Sequence, residues 1–518
     1  MRVLLADEMR AVDRRAIDEL GIPGPVLMEN AAIGLADAVG ENFPAARRVL
    51  IVCGPGNNGG DGFALARHLD GRGYEVEALL LGAARPKGDA LLQLEILERA
   101  GFDCPQIGPG EDWAPLLEAA GRADLLVDAL FGTGLKRPLE GFFAEAVGLL
   151  AGLGKEVLAV DLPSGLDASL ARPIGPCLPA AVSVTFAAPK LAHLLAPACD
   201  LCGRLVIADL GLPAGMVEAA PGSFWLSTAE ELAAELLPRP AGAHKGHFGH
   251  LLLLGGSLGK GGAMVLAARA AVRGGAGLVT AAVPAPLLEL VDGQSLESMT
   301  LPLPERGGCF AAAGWAALEA ALAGKNALAV GPGLGRAEEA FALVRRLAAE
   351  SPLPLVLDAD GLNAFAGDLA ALAGRRAPTV LTPHPGELGR LLGITTAEVE
   401  ADRVAAALGA AAKSRAVVVL KGRRSLVASP EGELWINPTG HPILASGGSG
   451  DVLTGLLGAL LAQDYESLAA ARLAVFLHGL AGEKLAAAIG PRGGRAGDLV
   501  EQLPAAWRAL SEPEPGDA

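Results

Sequence analysis

Residues 49–69 read VLIVCGPGNNGGDGFALARHL. An apolar run enters a glycine-rich turn, and the turn opens into a helical pattern. Strand, glycine turn and helix in that order make the first half of a βαβ unit. The rhythm continues: YEVEALLLG leads to a helix around DALLQLEILERAG, and DLLVDALFG, EVLAVDLPSG, AVSVTFAAP and GRLVIADLGL follow. Strands alternating with helices of this length predict a mostly parallel sheet.

A second α/β block begins at HLLLLGGS and ends near Leu510. Its strands are GLVTAAV, ALAVGPG, LPLVLDAD, PTVLTPH and AVVVLKG, and SLVASPEGELWIN reads as a hairpin turning at Pro430 to Gly432. Between the blocks, PGSFWLSTAEELAAELLPRPAGAHKG is rich in Pro, Gly and Ala and interrupts the rhythm, which places a boundary near residues 215–240. The expectation is two domains, residues 1–218 and 225–510, which suits a chain of 518 residues.

Composition excludes several classes. Against 58 Asp+Glu stand 42 Lys+Arg, a net charge of −16 that argues against a nucleic-acid surface. The longest uncharged apolar stretch, Gly274 to Leu288, is shorter than the ~20 residues of a membrane span and holds Pro284 and Pro286. The N-terminus carries acids where a secretory signal would be apolar, so a cytoplasmic protein is expected. Six cysteines make no disulfide framework. Cys199 and Cys202 form one CxxC with only His193 near in sequence, too small a set for structural zinc. His244, His247 and His250 are spaced like a metal comb, yet Gly246 and Gly249 among them read as a turn entering a strand.

In open α/β sheets ligands bind beyond the carboxyl ends of the strands. Gly54 to Gly59 fits the GxGxxG of dinucleotide sites, but no acid follows at the end of the second strand to hold a ribose. Two further strand ends strengthen the site. Asp128 precedes a second glycine turn, with Lys136 and Arg137 available for phosphate, and Asp161 and Ser164 lie at a third. Asn58, Asp128 and Ser164 offer the oxygen ligands of a hard cation rather than of zinc. Asp61 reads equally as a helix cap or as a ligand. In the second block Gly447, Gly448, Ser449 and Gly450 precede an apolar helix that opens with Asp451. Small residues there let N–H groups converge on an anion, and a carboxylate at that point can take a proton during phosphoryl transfer. An N-cap aspartate is the plainer alternative.

GPGNNGGDG, DALFGTGL and DLPSGLDA, in this order and spacing, resemble the NAD(P)H-hydrate epimerase domain over about residues 1–215. The resemblance implies a Rossmann-like αβα sandwich. It implies that Asn57, Asn58, Gly59, Gly60 and Asp61 hold the hydrated dinucleotide together with the turn Gly132, Thr133, Gly134, Leu135, Lys136, Arg137 and Pro138. Potassium is implied at Asn58, Asp128 and Ser164, with Asp161 against the substrate as general acid/base. The GGSGD loop resembles ribokinase-like kinases. HKGHFGHLLLLGGSLGKGGAMVL, VGPGLGR, LDADGLNAF, LTPHPGELGRLLG, VVLKGRRSLVA and NPTGHPILASGGSGD narrow the resemblance to ADP- or ATP-dependent NAD(P)H-hydrate dehydratase, over about residues 225–510.

A second, ribokinase-like αβα sandwich follows from that resemblance. Lys421, Gly422, Arg423, Arg424, Ser425 and Gly450 are then expected at the adenine nucleotide, which enters as ADP or ATP with Mg²⁺. Ala263, Gly333, Gly335, His384 and Asp451 are expected at the hydrate, with Asp451 as base. The partners implied are the hydrates of NADH and NADPH and the nucleotide; no nucleic acid or membrane is expected, and a homo-oligomer is. The alternative is a small-molecule kinase, acting on a vitamin precursor, fused to a non-catalytic binding domain.

Overall fold

The computed structural model describes residues 1–512. It divides into two compact units, Met1–Gly222 and a second that begins at Ser223. The first holds seven strands: β1 (Arg48–Cys53), β2 (Glu75–Leu81), β3 (Gln106–Ile107), β4 (Leu125–Ala129), β5 (Glu156–Val160), β6 (Val182–Phe186) and β7 (Arg204–Ala208). Their order is β3-β2-β1-β4-β5-β6-β7, with every neighbouring pair parallel. This is the doubly wound order whose direction reverses between β1 and β4.

The continuous apolar runs explain why. Along β1, Ile51 packs with Val127 and Leu158 on one face, while Leu50 packs with Leu126 and Val157 on the other. Strands buried on both faces need helices on both, and Gly24–Asn42 and Asn57–Gly71 cover the first face, Ala114–Arg122 and Gly141–Gly152 the second. The turn after β1 closes tightly: a Cβ on Gly59 would stand 1.9 Å from the Gly54 carbonyl oxygen. Where the unit's two chain ends meet, the buried Arg2 guanidinium donates to the carbonyls of Ala220, Pro221 and Gly222 at 2.9, 2.8 and 2.9 Å.

The second unit carries β8 (Phe224–Leu226), β9 (His250–Leu254), β10 (Leu278–Pro284), β11 (Met299–Leu303), β14 (Ala327–Val330), β15 (Leu355–Leu357), β16 (Thr379–Leu381), β17 (Val417–Leu420), β18 (Leu426–Ala428) and β19 (Leu434–Ile436). They form one sheet ordered β11-β10-β9-β14-β15-β16-β17-β18-β19-β8, and β12 (Glu305–Arg306) pairs with β13 (Cys309–Phe310) apart from it. From β11 to β17 neighbours are parallel; β18 runs antiparallel to both β17 and β19. The hairpin turns at Pro430–Gly432, as its sequence predicts. One stretch differs. PGSFWLST, expected only to interrupt the rhythm, supplies β8, which pairs parallel with β19 and stacks Trp225 on Trp435 at 5.2 Å. Three residues at a sheet edge are too few to show a strand period.

Both units are therefore α/β with mainly parallel sheets, the expected class. Among the described residues no helix is long and apolar enough to cross a membrane.

Candidate active sites

In the first unit the loops after β1, β4, β5 and β6 meet around a cavity of about 1080 Å³. It lies where the strand order reverses. Asn57, Asn58, Asp61, all seven residues of the turn Gly132–Pro138 and Asp161 line it. Gly59 and Gly60 do not; they lie buried behind it, against Gly54 and against Met28 and Ala90. Gly132 sits where two functional groups converge, since a Cβ there would meet Asn58 Oδ1 at 2.6 Å and Asp161 Oδ2 at 2.9 Å.

Asp61 is no cap. The helix begins at Asn57 with Gly56 as its N-cap, so Asp61 lies more than a turn in and faces the cavity. Burial pushes its carboxyl well above the ordinary range, and the nearby charges of Asp161 and Asp13 push it further. Lys136 reaches the exposed carboxylate of Asp7 at 3.2 Å from the cavity rim.

Asp128 and Ser164 meet directly. Asp128 accepts from the Ser164 hydroxyl at 2.6 Å and from its N–H at 2.8 Å, while the Ser164 oxygen accepts from Phe131 N–H at 3.0 Å. Burial pushes the Asp128 carboxyl up to about 6, against the hydrogen bonds from Ser164 and Leu130. Asn58 has a buried amide nitrogen with no partner. A hard cation fits this set by its oxygens: the Asn58 amide oxygen and the Ser164 hydroxyl are neutral, and the buried Asp128 carboxylate is anionic. Among the described residues no three His, Cys, Asp or Glu cluster as a metal site. His193 uses both ring nitrogens, accepting from Lys190 N–H at Nδ1 and donating from Nε2 to the Asp161 carbonyl. The rings of His244 and His247 stack, and each Nδ1 accepts a backbone N–H.

Asp161 follows β5 with φ +64°, a left-handed backbone that Asp tolerates better than most residues. Its Oδ1 accepts from Lys190 Nζ at 3.0 Å and Thr185 Oγ1 at 2.9 Å; its Oδ2 accepts from Thr133 N–H at 3.1 Å. Burial pushes this carboxyl up, yet the Lys190 charge and the hydrogen bonds from Lys190 and Thr185 outweigh it and hold Asp161 below the usual range. Lys190, Thr185 and Asp13 escape a reading of motifs. The signal for Lys190 was its place just past the strand run AVSVTF, where strand-end loops gather function.

In the second unit a cavity of about 480 Å³ lies beyond β9, β14, β15 and β16, lined by Ala263, Gly333, His384 and Asp451 with Lys260, Asp360 and Glu387. Gly335 lies just outside; its N–H donates to Asp360 at 3.1 Å, and a Cβ added to it would stand 2.9 Å from Cys309 Sγ and 3.2 Å from Ser257 Oγ. His384 is both cap and lining, its Nδ1 accepting from Gly386 N–H at 3.0 Å at the start of Pro385–Leu392.

Asp451 is likewise no cap. Gly448, with φ +93°, is the N-cap of Ser449–Ala462, and Asp451 stands in its first turn. Burial pushes Asp451 up to about 7, Asp358 pushes in the same direction, and Lys421 opposes them. Lys421 lies under the glycine loop: its Nζ donates to Asp358 at 2.7 Å and would stand 3.5 Å from a Cβ on Gly450. Asp358 also accepts from Thr382 at 2.8 Å and Thr454 at 2.6 Å. Gly422 and Arg423 are exposed and Arg424 and Ser425 half-buried, on a turn that Arg403 holds by donating to the Arg423 carbonyl at 2.8 Å. Asp358 and Arg403 were not predicted as site residues, although Asp358 ends a strand within LDADG.

The family model described as NAD(P)H-hydrate dehydratase matches residues 251–505, and that of the YjeF-related protein N-terminus matches residues 24–192. Over 520 residues the chain is 44% identical to the bifunctional NAD(P)H-hydrate repair enzyme Nnr of Moorella thermoacetica, covering 99% of this chain and 98% of that one. A relative of the same name from Thermofilum pendens is 37% identical over 516 residues, with 99% and 97% covered. Among solved structures, the ADP/ATP-dependent NAD(P)H-hydrate dehydratase from Bacillus subtilis aligns at 32% identity and TM-score 0.48, covering 55% of this chain and 98% of that one. With both family models matched in order and relatives aligned nearly end to end, the chain belongs to the bifunctional NAD(P)H-hydrate repair enzymes.

Proposed function

We propose that the first unit interconverts the R and S hydrates of NADH and NADPH, and that the second dehydrates the S form at the expense of ADP or ATP. The observation that carries this is the pairing of two strand-end cavities, each with an aspartate of shifted acidity, the buried Asp161 and the half-buried Asp451.

In the first cavity the hydroxyl-bearing carbon lies next to the ring nitrogen. The nitrogen lone pair expels the hydroxyl, which leaves as water once protonated; water then adds to the opposite face and gives up a proton. Asp161, ionised at rest, takes the proton that the adding water gives up and releases it to solvent, which has supplied the proton of the departing hydroxyl. Asn57, Asn58, Asp61 and the turn Gly132–Pro138 surround the dinucleotide, with Lys136 and Arg137 toward its phosphates. Potassium held by Asn58, Asp128 and Ser164 would supply a fixed positive charge that offsets the buried Asp128 carboxylate.

In the second, Asp451 takes the proton of the hydrate's hydroxyl as its oxygen attacks the terminal phosphorus of the nucleotide. The nucleotide leaves one phosphate shorter. The new phosphate ester then departs as phosphate, the adjacent carbon loses a proton, and the dihydronicotinamide is restored. The glycine loop and Lys421–Ser425 hold the nucleotide, which enters with Mg²⁺ to neutralise its phosphates.

A cytoplasmic homo-oligomer is the proposed form. Partly exposed Ile17, Leu20, Val26 and Ile33 near the first helices support assembly, and light scattering reads it directly.

The test uses purified protein with mixed R and S NADH hydrate, with ADP, with ATP and with neither. Complete recovery of NADH with one nucleotide, faster than spontaneous epimerisation, is expected. Recovery of the S fraction alone would leave the first unit a binding module. No recovery would favour a kinase of small alcohols.

A further inference from the structure

We propose that Lys190 is a positioning residue of the epimerase, fixing the orientation and negative charge of the Asp161 carboxylate. The inference rests on the reading of Asp161 as the acid–base group.

Lys190 follows β6 and its side chain is 1% exposed, yet it lines the cavity wall. An ammonium has three protons to donate. All three find acceptors here: Asp161 Oδ1 at 3.0 Å, Thr185 Oγ1 at 2.7 Å and the Phe186 carbonyl at 3.1 Å. Thr185 passes its own proton to the same Asp161 Oδ1 at 2.9 Å. One carboxylate oxygen is thus held by two donors from behind. The other, Oδ2, takes only the Thr133 N–H and faces the Gly132 turn, where the cavity opens.

The backbone is gripped from the same segment. Lys190 N–H donates to His193 Nδ1 at 3.0 Å, which leaves the ring proton on Nε2 to donate to the Asp161 carbonyl at 2.8 Å. Residues 185–193 therefore hold both the side chain and the left-handed backbone of Asp161.

The groups facing Asp161 explain why a cation is needed there. Lys190 and His193 come from the segment after β6, Asp61 from the helix Asn57–Gly71 and Asp13 from the helix Ala6–Arg14. Asp13, Asp61 and Asp161 line one cavity. Burial pushes Asp13 up to about 6, with Lys190 opposing and Asp161 adding to it, and Asp61 is pushed up more strongly. Asp161 alone is held low. Lys190 bonds Asp161 directly, at 3.0 Å.

The experiment measures epimerisation by full-length protein without nucleotide, following R and S hydrate by NMR across pH, for Lys190→Met, Thr185→Val and Asp161→Asn. Lys190→Met is expected to lower kcat ~100-fold at neutral pH with KM changed less than ~3-fold. Without its cation, Asp161 would be pushed up by burial and by its acidic neighbours. The acid limb of the profile should therefore move up by at least ~1 pH unit, with activity partly recovered at alkaline pH. A merely structural lysine would lower activity at every pH alike and leave the limb in place, which overturns the inference; so does an unchanged kcat. If Asp161→Asn keeps the parental rate, the reading of Asp161 itself fails and the inference falls with it. Should Lys190→Met not fold, Thr185→Val decides: a smaller kcat loss with the same upward limb shift supports the inference, and a parental profile overturns it.

Discussion

Two aspartates separate the two chemistries at the scale of single residues. Asp161→Asn is expected to abolish epimerisation and spare dehydration, and Asp451→Asn to do the reverse, each by ~10²–10⁴-fold in an assay of separated isomers. Asp451 adds a pH signature. Its carboxyl stands at about 7 through burial and the neighbouring Asp358. The base form is the ionised one, so dehydratase kcat should fall as pH drops below about 7 and level off above it. A flat profile between pH 5 and 8 would assign the base elsewhere. Gly132→Ala tests the convergence in the first cavity, because the added methyl would meet Asn58 Oδ1 at 2.6 Å and Asp161 Oδ2 at 2.9 Å. We expect epimerisation to be lost with the melting temperature close to that of the parent.

Whole elements were legible in the sequence where they were long and bounded by glycine. The run at 49–52 and the turn after it became β1 and the helix Asn57–Gly71, and the hairpin was found at its turn. Short elements were not: β3 has two residues and β8 three, too few for a period to register. The sites divide along the same line. Glycine turns and the acids within them are local patterns, and most of the residues expected from them line the two cavities. Lys190, Thr185 and Asp358 act through partners far along the chain, such as Lys421 on Asp358 across 63 positions, and no local pattern encodes such a pair. Helix starts were the other gap. Asp61 and Asp451 lie inside their helices rather than at the caps, because glycines 56 and 448 take the N-cap positions. Gly448→Ala should therefore damage the loop itself: its φ is +93° and its Cβ would meet Leu266 at 2.5 Å. A backbone conformation of that kind costs a non-glycine residue ~1–3 kcal/mol. Weaker nucleotide binding in calorimetry, at unchanged hydrate affinity, is the expected outcome.

Each of the two units has its own sheet and its own buried core. Residues 1–222 expressed alone should fold and epimerise without any dehydratase activity, and a chain starting at Ser223 should dehydrate only the S isomer. A fragment that stays unfolded by circular dichroism would refute this independence. The Arg2 clasp shapes what such a module permits. Its guanidinium joins the second residue to the carbonyls of residues 220–222, so the first unit starts and stops at one point on its surface. A cassette with adjoining ends can be spliced into a host loop, or permuted by joining its old termini and cutting at an exposed tip such as Gly110. For a gene, that makes the unit transferable as a single insertion, with no need for the recipient protein to thread around it.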